Sequence, residues 1–147
     1  MTPTLMGRWQ TRLLLLGTIG LAVTLIFGRI FNDFTTPLAL LGYVLVIGFA
    51  WDILYGFVQN FRWDRDWPPL FQLAAGIVEG AFLWGLILIC DAISSFNLHT
   101  LPGIAESLTL EMFIAHYATV WVTTFLATQG LLRIVFPRWR FHGGQWM

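Results

Sequence analysis

The chain has 147 residues, no lysine, 57% hydrophobic and 11% charged residues, and no net charge at neutral pH. Soluble domains usually carry about a quarter charged residues, so this composition, with a mean hydropathy of +0.72, excludes an ordinary soluble domain. Charge neutrality excludes a nucleic-acid binder, which needs a basic patch, and a single cysteine, Cys90, excludes an intrachain disulfide framework.

Four apolar stretches follow in chain order, at 13–31, 37–58, 69–93 and 112–136. Each is about 20 residues or longer, enough for a helix to cross a ~30 Å hydrocarbon layer. The first is preceded by Arg8 and Arg12. It is longer than the apolar part of a signal peptide, and no A-x-A-like site follows it, so a retained helix is expected. The first link, Asn32 to Thr36, ends at Pro37, a residue favoured in a first helical turn. The second link, Asn60 to Pro69, holds Arg62 and Arg65, and Pro68-Pro69 pre-set the third helix. The third link contains the turn signal Pro102-Gly103 and no arginine. Arg133, Arg138 and Arg140 close the fourth stretch.

Seven of the eight arginines therefore share one side, Arg29 being the exception. This positive-inside asymmetry places both termini and the second link in the cytoplasm. Trp9, Trp63, Trp67, Trp139 and Trp146 belong to the same interface, where amphipathic rings settle at headgroup level. The expected fold is an all-α membrane protein: one domain over 1–147, built as an antiparallel bundle of four transmembrane helices. A plasma membrane of bacterial inner-membrane type is the expected location.

The second link carries the most distinctive local pattern, Arg62-Trp63-Asp64-Arg65-Asp66-Trp67. Its alternating charges can pair with one another while the rings anchor it, giving an interfacial hairpin. The sharper alternative is a docking surface for a protein partner.

Charged groups deep in a membrane cost roughly 2.5–3.5 kcal/mol on insertion scales and by default mark function. Asp52 lies ~10 Å from the cytoplasmic end of the second stretch, and Glu79 ~15 Å into the third. Antiparallel neighbours would bring the two carboxyls to similar depth. Asp52, Tyr55 and Gln59 share a helical face, as do Gln72, Gly76 and Glu79, and Gln129 on the fourth stretch has a similar depth. These residues are expected to form an intramembrane polar cluster, with at most one carboxyl ionised because close like charges repel. Gly76 and Gly80 form a G-x-x-x-G, matched by Gly48 and Gly56 around Asp52, which predicts close packing of the second helix on the third.

A second polar group lies toward the outer side: His116 with Thr119 and Thr123 along its face, and Asn32, Asp33, Asp91, His99, Glu106 and Glu111 in the same leaflet or surface. No H-E-x-x-H or C-x-x-C is present, so no metal site is expected. His116 alone is a candidate axial ligand for haem or pigment; its alternative role is a hydrogen bond to a neighbouring helix. No cofactor is otherwise implied.

Together these residues point to a non-enzymatic accessory or scaffold subunit in the bilayer, packing against another membrane protein or against a second copy of itself. The alternative is a small oligomeric proton- or cation-coupled transporter or channel using Asp52 and Glu79.

Overall fold

The computed structural model describes residues 4–61, 68–94 and 101–135. Among them the protein is all helical, with four helices long and apolar enough to cross a membrane. These are α1 (Leu5–Phe31), α2 (Thr35–Gln59), α3 (Pro69–Ser94) and α4 (Leu110–Gln129), followed by the short α5 (Leu131–Val135). The interfacial pattern Arg62–Trp67, and with it Trp63 and Trp67, lies outside the described residues, as do His99, Trp139 and Trp146.

Helix α1 begins eight residues before the apolar run does. Thr4 caps it, its hydroxyl accepting from the Gly7 N–H at 3.1 Å, and the polar residues that follow continue the helix where hydropathy alone sees nothing. Between Leu16 and Gly20 the helix widens into a π turn. In an unbroken α-helix, positions twelve apart point ~120° away from each other, and one inserted residue reduces that to ~20°. The wide turn thereby lets Arg12 and Thr24 face the same interior.

The turn from α1 into α2 is made by Asn32, in the left-handed region at φ 53°, a conformation asparagine tolerates. Asp33 then accepts from the backbone N–H of Thr35 at 2.8 Å and of Thr36 at 3.3 Å, and also from the Thr36 hydroxyl. These acceptors satisfy donors that the first turn of α2 leaves without helical partners. Helix α4 ends earlier than its apolar pattern, at Gln129. Gly130 breaks the axis, and α5 restarts beyond it.

Helix α1 packs against α2 and α4, and α3 packs against the same two, so α1 and α3 stand across the diagonal of a four-helix bundle. Leu16, Leu41 and Val120 form one buried apolar cluster, and Leu40, Leu83 and Phe113 form another. The connection before α4 folds over this second cluster, to which Ile104 and Leu108 add. It is tied down by Ala105 N–H donating to Thr36 Oγ1 at 3.2 Å and by Tyr43 Oη donating to the Pro102 carbonyl at 3.0 Å. Gly103, at φ 82°, makes that fold-back with its Cα against Ala39, where a side chain would collide.

Candidate functional site

The end of the bundle that carries the N-terminus holds a bridge of three charged groups. Arg12 Nε donates to Asp52 Oδ2 at 2.9 Å, and Nη2 donates to Oδ1 at 3.1 Å. The same guanidinium reaches Glu79, with Nη1 to Oε2 at 3.0 Å and Nη2 to Oε1 at 3.1 Å. All four carboxylate oxygens are thus engaged by one side chain, two parallel bonds to each acid. Fork-to-fork pairing of this kind fixes orientation as well as charge. The Asp52 and Glu79 side chains are 6% and 11% exposed, and that of Arg12 17%, so the bridge lies inside the bundle.

The local sequence explains how the arginine gets there. Gly48 lies one helical turn from Asp52 on α2, and a Cβ on it would overlap the Arg12 guanidinium. The missing side chain is the passage through which α1 reaches diagonally across to α3. One turn nearer the N-terminal end, Arg8 Nη2 donates to Gln59 Oε1 at 2.9 Å. Trp9 lies on α2 with its ring 5.5 Å from that of Phe49. Tyr55 turns toward α3, where its hydroxyl is 3.4 Å from the Ala75 carbonyl and interacts with Glu79.

The residues expected to form one polar cluster fall into two groups. Asp52, Tyr55, Gln59 and Glu79 gather around Arg8 and Arg12. Gln72 and Gln129 form a separate α3–α4 tie, Gln129 Nε2 donating to Gln72 Oε1 at 3.2 Å. The two carboxyls do not face each other bare. A guanidinium lies between them, so the expected pair of close carboxyls is in fact an acid–arginine–acid bridge.

The glycines require a correction. Gly76 and Gly80 do not seat α2. They are notches for α4: a Cβ on Gly76 would overlap the Trp121 indole, and one on Gly80 would stand 2.5 Å from the Tyr117 ring. Tyr117 Oη also donates to the Gly76 carbonyl at 2.6 Å. On α2, Gly48 admits Arg12, while Gly56 has no other group within 4 Å of its Cβ position. The four-residue step did mark close approach at three of the four positions, but the partners are side chains of α1 and α4.

His116 is 2% exposed and lies toward the opposite end of the bundle. Its Nε2 is 3.0 Å from Thr24 Oγ1 on α1, and Phe27 packs edge-on at 5.4 Å. Its environment is thus a hydrogen bond to a neighbouring helix. Thr119 and Thr123 do not join it; their hydroxyls donate to carbonyls of α4 itself, at Ala115 and at Thr119 and Val120. No group of three or more histidine, cysteine, aspartate or glutamate side chains is placed to hold a metal among the described residues.

Sequence reasoning missed Arg12, Arg8, Thr24, Tyr117 and Trp121 as members of these contacts. One signal was available: two acids inside long apolar helices invite a cation, and Arg12 borders the first apolar run. No protein-family model matches the chain, and neither a curated protein nor a solved structure does.

Proposed function

We propose that the chain is an integral membrane protein whose four helices span the bilayer with both termini cytoplasmic, and that it serves as a non-enzymatic accessory or scaffold subunit. Its partner is another membrane protein or a second copy of itself. The membrane reading is supported by the distribution of polarity. Large apolar residues such as Ile26, Ile30, Val46, Ile77 and Leu126 point outward, while Thr24, Asp52, Gln59, His116 and Thr128 are buried. An apolar exterior around an interior that holds polar groups suits a lipid solvent, where interhelical polar contacts hold helices together. The arginine distribution supports the orientation.

The observation that carries the scaffold reading is how the interior charges are used. Arg12 occupies the oxygens of both acids, and the buried apolar cluster Leu16, Leu41 and Val120 separates that bridge from the Thr24–His116 pair. A bridge closed on itself beneath an apolar layer fastens helices. A translocation site would need oxygens accessible to a passing ion.

Reconstitution tests this directly. Purified protein in vesicles should carry no proton or cation flux above that of empty vesicles, and extraction in mild detergent should yield a stable complex with a membrane protein or with itself. A flux abolished by Glu79→Gln would overturn the scaffold reading in favour of ion coupling.

A further inference from the structure

Helices α2 and α3 each carry one carboxyl at a depth their own side chains cannot escape. Asp52 and Glu79 have short stems and lie ~10 and ~15 Å from the nearer helix end, too far for an acid to reach the headgroups. Arg12 lies seven residues from the start of its helix, no shallower than Asp52, but it borders the apolar run and has a much longer stem. It can therefore snorkel outward until a partner arrives. Alone, α1 tolerates its charge in a bilayer, whereas α2 and α3 alone do not tolerate theirs.

In the folded bundle the guanidinium turns inward past Gly48 and engages both acids. We propose that Arg12 is an intramolecular counter-ion for membrane integration: α1, made before α2 and α3, supplies the charge on which their stable insertion depends. This rests on the membrane reading above. It adds an order of assembly and a division of labour, with α1 as the clip and α2 and α3 as the clipped elements. It also gives the π turn a purpose, since that turn lets α1 present Arg12 and Thr24 to the same interior.

The test uses the full chain with Cys90→Ser and a reporter cysteine, Asn97→Cys, between α3 and α4. Carbonate-resistant membrane protein and labelling of position 97 from the non-cytoplasmic side are measured together. Arg12→Gln should lower both at least tenfold, roughly the effect of leaving a buried charge without its partner. Adding Asp52→Asn and Glu79→Gln to Arg12→Gln should bring both back to within about threefold of the parent, because no charge then remains to be matched. Glu79→Gln alone, which leaves a one-to-one pair, should insert like the parent. The proposal is overturned if Arg12→Gln inserts normally, or if the triple variant does no better than Arg12→Gln while Glu79→Gln is intact. A parent chain that carbonate extracts would instead defeat the membrane reading itself.

Discussion

The Arg12 guanidinium crosses α2 where Gly48 has no side chain: a Cβ there would overlap Nη1 and leave Nε only 2.9 Å away. A flexible arginine could normally swing aside, but this one is held by four bonds to two acids. Gly48→Ala must therefore break bridge contacts, and we expect it to lower stability in detergent by about 2 kcal/mol or more. Gly56→Ala is the control, since nothing lies within 4 Å of that position. It should be neutral or stabilising by up to ~1 kcal/mol, because alanine favours helix over glycine. Equal losses for the two, measured by thermal or denaturant unfolding, would remove Gly48 from the account.

The same reasoning applies to the α3–α4 seam. Gly76→Ala collides with the Trp121 indole, and overpacking of this kind costs ~1–3 kcal/mol. Trp121→Ala empties the space and should make Gly76→Ala harmless in the double variant. Additive losses would mean that the two residues do not meet.

Thr24 and His116 should couple in a double-mutant cycle of Thr24→Val and His116→Ala. Polar contacts between membrane helices average ~0.6 kcal/mol with a maximum near 1.7, and the Thr24–His116 pair, 3.0 Å apart and buried, should fall in the upper half of that range. A coloured purified protein that His116→Ala bleaches would instead restore the ligand role.

Much of this architecture was legible from the residues. Apolar length located the four helices, and helical spacing put Asp52 and Glu79 on faces that do converge. What the pattern lacked was direction across the bundle. Arg12 borders the apolar run, so the positive-inside rule reads it as an interfacial anchor, although its long side chain points into the interior. The glycine step showed where something fits closely, but a missing side chain carries no information about its occupant, which proved to be Arg12, Trp121 and Tyr117. The π turn was also invisible to hydropathy; within it Thr18 Oγ1 donates to the Leu14 carbonyl at 2.6 Å, a side-chain bond that competes with the helical ladder.

At the α1–α2 turn, Asp33 has its carboxyl held below the usual range, first by the Thr36 hydroxyl and then by the Thr35 N–H that donate to it. A carboxyl with a native value below its unfolded ~3.9 contributes its full stabilisation above that pH and loses it as pH falls through the native value. Asp33→Ala should therefore cost ~1 kcal/mol at neutral pH, as loss of a cap does, and less at strongly acid pH. Asp33→Asn keeps an acceptor without the charge and should recover only part of the neutral-pH loss. A penalty for Asp33→Ala that grows as pH falls would contradict this sign.

The bridge also sets an order among its own neutralisations. Glu79→Gln leaves Arg12 and Asp52 as a two-bond pair and removes only one side of the fork, so a loss of ~1.5–3 kcal/mol is expected, that of a charged hydrogen bond. Asp52→Asn should behave similarly, with Glu79 keeping the guanidinium. Arg12→Gln is different in kind. It leaves two carboxylates close together in a low-dielectric interior with no cation between them, and breaking a buried pair from that side costs ~3–5 kcal/mol. Unfolding of the three variants in detergent at neutral pH checks this order. If Glu79→Gln were as damaging as Arg12→Gln, the guanidinium would not be the group that makes these two acids compatible.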